Sequence, residues 1–213
     1  MRRLALGFLF ISFAVGTPIL RSQVPQAVAP SMRSAYGEKL HLTGIPNAGR
    51  ITDQLYRGAQ PQAGGLEQLR KFGITTIVDL RGEGPGVRDL EKTEAESLGI
   101  HFVSIPVSGS SPPSIDQVAQ FLSLFGKDST ERVFVHCRLG EDRTGVFVAT
   151  YRMAAQKWPA EQAIKEMYFF GFGFWHGAMV SFVRDFPALL SSSPTLATLS
   201  NSKSSGSAVA QPN

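Results

Sequence analysis

An α/β fold is predicted for this chain: a central, mostly parallel sheet of four to five strands, flanked by helices on both faces. Three observations carry the prediction. β-Branched apolar runs alternate with helical stripes between about residues 46 and 190, the order that produces parallel strands joined by helical crossovers. Two of the helical stripes close on a glycine, Gly73 and Gly99, immediately before the next apolar run. An apolar strand ending at Cys137 then runs through a short, glycine-punctuated loop into another apolar helix.

The elements follow in order. GRITDQLYRGAQP (49–61) predicts a short hairpin that turns near Asp53 and Gln54, with 55–57 extended. GGLEQLRKFG (64–73) predicts a helix whose stripe is Leu66, Leu69 and Phe72. ITTIVDL (74–80) is β-branched and apolar, hence a buried strand. VRDLEKTEAESLG (87–99) is the next helix, and HFVSIPV (101–107) the next strand, stopped by Pro106. Ser114 with Gln117 three residues on predicts a capping box, opening a helix whose stripe is Val118, Phe121, Leu122 and Phe125. ERVFVHC supplies a strand over 132–136, and TGVFVATYRMAAQ a helix from about Thr144. Pro159 suits the first turn of PAEQAIKEMYFF, and a last helix runs over about 177–190.

The ends fall outside this domain. Residues 1–23 begin with Arg2 and Arg3, followed by an apolar run from Leu4 to Phe13 and the small residues Ala14, Val15 and Gly16. That is the layout of a secretory signal, so the expected location is periplasmic or secreted. Left uncleaved, the same segment would be an anchor, the one route to a membrane. Residues 24–45 are expected as a linker, 46–190 as the folded domain, and the serine-rich 191–213 as a disordered tail. The formal charge of +4 rests on the leader: Arg2, Arg3 and Arg21 leave with it, and the rest is near balance. Without a clustered basic face, nucleic-acid binding is excluded. The four histidines are scattered and no metal-ligand spacing occurs, so neither metal nor cofactor is expected.

Cys137 is the only cysteine. Exported proteins usually hold cysteines in pairs, so a single thiol there is an accident, an intermolecular link or a reactive group. Its position decides among these. In an α/β sheet, ligands sit at the carboxyl ends of strands, against helix N-termini. The orphan N–H groups of such a helix favour a thiolate and bind phosphate-like anions. Gly140 lets the backbone curl so that successive amides converge, and Arg143 brings a planar fork suited to two phosphoryl oxygens. The set supports in-line attack by Cys137 on phosphorus, with charge neutralised by amides and Arg143 rather than by a metal.

HCRLGEDRTG (136–145) resembles the signature loop of cysteine-dependent protein tyrosine and dual-specificity phosphatases. LYRGAQP (55–61), TTIVDLRGE (75–83), YRMAAQKWPAEQAIKEM (151–167) and GFGF (171–174) look like pieces of the bacterial dual-specificity type, so the likeness covers about 46–188. The resemblance implies a phosphate loop between the last strand and the following helix, with Cys137 as nucleophile and Arg143 as clamp. The amides of Arg138, Leu139, Gly140, Glu141, Asp142 and Arg143 would line it. Thr144 would assist the thiolate and the hydrolysis of the intermediate, while His136 would support the loop from behind. The implied partner is a phosphorylated protein or a small phosphomonoester.

The pattern departs at the proton donor. The family usually takes it from an aspartate upstream of the cysteine, but IPVSGSSPPS (105–114) holds no carboxylate. Asp142 is the first candidate, a site without a dedicated acid the second, and Asp116 the third. Arg81 is expected at the same sheet edge as Cys137, as a supporting residue or second phosphate contact. Arg57 and Gln60 are expected near the loop or in a surface turn, and the aromatic cluster 169–175 is read as core. Near-balanced charge in the loop favours phosphotyrosine or simple phosphomonoesters over inositol polyphosphates. Three rivals remain: a catalytically weak phospho-binding module, a sulfurtransferase, and a structural protein with one idle buried thiol.

Overall fold

The strand that carries Cys137 lies inside the sheet, and its sequence explains why. Val133–Cys137 is buried at every position, as a strand covered on both faces must be. In this computed structural model, which describes residues 36–82, 85–126 and 129–196, it is the last of six strands. In chain order these are β1 (Glu38–Lys39), β2 (Gly49–Arg50), β3 (Leu55–Ala59), β4 (Thr76–Arg81), β5 (His101–Val107) and β6 (Val133–Cys137). The order across the sheet is β1-β2-β3-β6-β4-β5. β3, β6, β4 and β5 are parallel neighbours, and β1 and β2 add antiparallel to one edge. Ala59 pairs with Cys137 on one side, and Asp79 with His136 on the other. The carboxyl ends of β3, β4 and β6 therefore share one edge.

Helices cover both faces, as expected. α1 (Gly65–Lys71) and α2 (Pro85–Ser97) take one side, where Leu66, Leu69 and Ala95 pack on Ile77, Phe102 and Phe134. α3 (Ile115–Ser123), α4 (Asp142–Gln156), α5 (Ala160–Phe169) and α6 (Gly177–Ser192) take the other. There Phe121, Phe147, Met167 and Phe186 pack with Val78, Leu80, Val133 and Val135. α4 lies beneath its neighbours and is buried from Arg143 to Ala154, which is why its sequence is apolar all round. The capping box at α3 is formed: Ser114 Oγ accepts from Gln117 N at 3.2 Å, and Ser114 N donates to Gln117 Oε1 at 2.8 Å.

Several expectations need correction. The sheet has six strands rather than four to five, because β1 and β2 are two-residue pairings. β1 falls in the stretch expected as linker, and Ile45 is a core residue, so the folded unit begins before residue 46. At the other end α6 reaches Ser192 and Leu196 is buried. The stretch expected as a leader (1–23), the part of the expected tail beyond 196, and Glu83 lie outside the described residues. β5 continues through Pro106 to Val107; it is an edge strand, where a missing N–H removes no ladder bond. α4 starts at Asp142, two residues before Thr144, with Gly145 N already bonded to Glu141 O at 2.9 Å. Among the described residues no helix is long and apolar enough to cross a membrane.

Candidate active site

The loop after β6 is shaped by what holds its carbonyls. Gln60 N donates to Arg138 O at 3.3 Å. Asn47 Nδ2 lies 3.5 Å from Leu139 O and 3.1 Å from Gly140 O. Arg57 Nη2 also donates to Gly140 O. Three successive carbonyls are thus drawn to donors outside the loop. In a planar trans peptide the N–H points opposite to the C=O, so the amides of Leu139, Gly140 and Glu141 turn inward. The result is an amide nest that begins at Cys137, buried at the end of β6, and closes on the first turn of α4. Gly140 sits at φ 70°, and a Cβ there would overlap the carbonyl of Gly58 and lie 2.5 Å from Ala59 N.

Arg143 and Thr144 stand in that first turn, both buried. Arg143 Nη1 donates to Val107 O at 3.2 Å, which braces the guanidinium against the end of β5. Thr144 Oγ1 is buried without a hydrogen-bond partner among the described residues. On the opposite face of the sheet, His136 Nε2 is 2.9 Å from Glu91 Oε1 and 4.0 Å from Asp79 Oδ1. His136 Nδ1 lies 3.3 Å from Cys137 O. Arg81 is part of the same buried network. Its Nε and Nη2 donate to the two oxygens of Asp79 at 2.8 and 2.9 Å, and Nη2 also donates to Glu91 Oε2 at 2.6 Å. Arg81 is therefore a support beneath the sheet edge and not a second phosphate contact, because its fork is occupied by two carboxylates.

Asp142 is also elsewhere than expected. Its Oδ1 accepts from Gly173 N at 2.8 Å, and its Oδ2 is 3.4 Å from His176 Nε2. Because α4 begins at this residue, its side chain points across to the α5–α6 turn, which it fastens; it is not a proton donor aimed at the nest. Asp116 stays in the first turn of α3, as its sequence position suggested. Glu141 is the loop carboxyl whose surroundings favour protonation: burial raises it most, the charge of Asp142 adds to that, and Arg57 opposes both.

Three residues were weakly legible or missed. Arg57 has no exposed surface; its guanidinium lies 4.2 Å over the Phe170 ring, and its Nε and Nη1 lack partners among the described residues. Burial brings its pKa down to about 10. Folding therefore disfavours the charged form, and that penalty is present in full at neutral pH, below the folded value. Gln60 serves through its backbone N–H. Asn47 was missed altogether; its only signal is a turn-forming position at φ 51°, a conformation Asn tolerates. Among the described residues no group of three or more His, Cys, Asp or Glu could hold a metal.

A profile of the family described as "DSP-PTPase phosphatase fused to NAD+ Kinase" matches residues 47–186, from the turn at Asn47 to α6. The chain belongs to that family. It is a cysteine-based phosphatase of the bacterial dual-specificity type. The dual specificity protein phosphatase TpbA of Pseudomonas aeruginosa (strain UCBPP-PA14) is 25% identical over 171 residues, 80% of this chain and 73% of TpbA. A crystal structure of P. aeruginosa TpbA in complex with pTyr aligns with a TM-score of 0.61 at 20% identity, covering 83% of this chain and 100% of that one. The catalytic domain of the PP-IP phosphatase SIW14 from S. cerevisiae, in complex with citrate, aligns at 0.58 and 17% identity, covering 71% and 94%. At such identities the structural likenesses establish the fold.

The phosphatase carries a testable pH signature in its loop. Glu141 is raised in the folded state, so its contribution to stability is present below the unfolded carboxylate range and is lost as pH rises through the folded value. Glu141→Gln removes that loss. Thermal melts at pH 4 and pH 7 should show the variant gaining on wild type toward pH 7, by on the order of 1–2 °C. An advantage that is constant, or that shrinks with rising pH, refutes the assignment.

Proposed function

We propose that this phosphatase hydrolyses phosphotyrosine, and simple phosphomonoesters of similar leaving-group quality, through a cysteinyl-phosphate intermediate. Cys137 Sγ attacks phosphorus, the S–P bond forms as the P–O bond to the leaving group breaks, and the freed oxygen departs as phenolate, or as alkoxide that takes its proton from solvent. The inward amides of 139–141, with Arg143, hold the equatorial oxygens. Water then attacks the intermediate, releasing phosphate and restoring the thiolate; a Thr144 hydroxyl buried without a partner among the described residues supports a role in bonding sulfur or that water. The observation that carries the reading is the outward tethering of three successive carbonyls, which aims the amides into the space above Cys137.

The tyrosine preference has its own support. The loop 108–114 contains no carboxylate, and Asp142 is engaged with Gly173 and His176. A site poor in proton donors favours phenolate, which leaves more readily than an alkoxide. Both arrangements agree with the pTyr complex of TpbA. The test compares the full chain on a phosphotyrosine peptide and its phosphoserine counterpart, in excess EDTA. Phosphate release that survives EDTA and is at least about tenfold faster from tyrosine is expected. Equal rates overturn the preference, and tight binding without release returns the phospho-binding module. Export to the periplasm or medium is proposed on residues 1–23 alone; recovery of the enzyme from the cytoplasmic fraction refutes it.

A further inference from the structure

The α5–α6 turn runs alongside the phosphate loop almost residue by residue. Asn47 Nδ2 bonds Phe170 O at 2.9 Å as well as Gly140 O. The position a Cβ of Gly171 would take is 3.3 Å from Glu141 Cγ. Gly173 N is held by Asp142, and so is His176. Between these last two fixed points stand Phe174 and Trp175, which are 82% and 69% exposed.

Those two side chains are held as well as exposed. The Trp175 ring lies on Gly173, where a Cβ would come within 2.8 Å of its atoms. Phe174 meets Trp175 edge-on at 4.9 Å between centroids, and Trp175 neighbours His176 at 5.8 Å. In the same aromatic run Phe170 and Phe172 are buried core residues, and Phe169 is 38% exposed. An aromatic pair kept in water beside the phosphate loop, its rings packed edge-on against each other, is the form of a contact surface rather than of a failed core. Leu139, on the phosphate loop itself, is also exposed, at 53%.

We infer that Phe174 and Trp175 form a substrate-docking wall for an apolar or aromatic side chain flanking the phosphorylated residue of a peptide. The inference rests on the phosphopeptide reading above and adds the sequence context that the enzyme selects. The position favours a peptide over a free phosphomonoester, since the turn that carries the pair is tied to Glu141 and Asp142 of the phosphate loop, and a ligand must extend past the phosphate itself to meet it. Its chemistry selects the neighbour: two aromatic faces and Leu139 offer apolar contact. The charges nearest them, Glu141 and Asp142 against Arg138, give no strong field for an acidic or basic flank. Rigid aromatics of this kind bind at little cost in conformational entropy.

The experiment measures kcat and KM of the full chain on two phosphotyrosine peptides, identical except for Leu-Phe or Ser-Gly flanking the phosphorylated residue. Wild type should prefer the apolar flank through KM, by about tenfold, equivalent to about 1.4 kcal/mol. In Phe174→Ser and in Phe174→Ser/Trp175→Ser the preference should collapse toward one, with the loss in KM and not in kcat. p-Nitrophenyl phosphate turnover in wild type separates the two levels: its absence refutes the phosphatase reading, whereas its presence without flank preference refutes only the wall. A preference that survives in the double variant also overturns the proposal. So does a double variant that keeps its peptide kinetics but loses binding to phosphatidylglycerol–phosphatidylethanolamine vesicles, which would make the pair a membrane contact.

Discussion

Cys137→Ser is expected to abolish turnover of p-nitrophenyl phosphate, by on the order of 10⁴-fold or more, while leaving the fold and the anion site in place. The thiol is buried at the end of the central strand, paired across to Ala59, and serine differs from it by one atom. A hydroxyl in the same place ionises several units higher than a thiol, so the attacking anion is nearly absent at neutral pH. The amide nest owes nothing to sulfur: its carbonyl tethers come from Gln60, Asn47 and Arg57. Tungstate should therefore raise the melting temperature of the variant as it does that of wild type, since a ligand that binds only the folded state stabilises it by mass action. A variant within tenfold of wild-type rate would remove Cys137 from the chemistry. A variant that loses tungstate stabilisation along with turnover would mean that the thiolate, and not the amides, organises the loop.

Much of this site was legible before any coordinates, for local reasons. The strand–loop–helix order around Cys137 follows from an apolar run, a glycine and an apolar helix within two dozen residues, and each element there formed within two residues of where its pattern placed it. The capping box at Ser114 and Gln117 is equally local. What escaped the sequence is long-range. β1 and β2 are two residues each, too short for a period, and exist because their partners across the sheet exist. Asp142 looked like an acid in the loop; its orientation is set by Gly173 and His176, more than thirty residues later. Arg81 looked free at the sheet edge because Glu91, which with Asp79 on the same strand occupies its guanidinium, is brought to it only by α2 folding back over β4. Phe174 and Trp175 share a composition with Phe170 and Phe172, and only the position of the turn separates wall from core.

Gly140→Ala should cost more than any other single methyl group in the domain. Two penalties coincide there. At φ 70° an L-residue pays on the order of 1 kcal/mol for the left-handed conformation. The larger penalty is steric: the new Cβ would overlap the carbonyl of Gly58, which is backbone and cannot rotate away. Relief requires either β3 or the loop to move. β3 is held in register with β6 from Leu55–Val133 to Ala59–Cys137, so the loop must give, and with it the Arg57 and Asn47 tethers on Gly140 O. The expected loss is on the order of 3 kcal/mol, a fall in melting temperature of roughly 10 °C for a domain of this size. Turnover should fall with it, because the amide of residue 140 leaves the nest. Gly109→Ala is the matched control, since a Cβ there meets nothing within 4 Å, and it should shift the melt by no more than about 2 °C. If Gly140→Ala melts like that control, the close approach of the phosphate loop to β3 is not what holds the nest in shape, and the role given to the outward tethers falls with it.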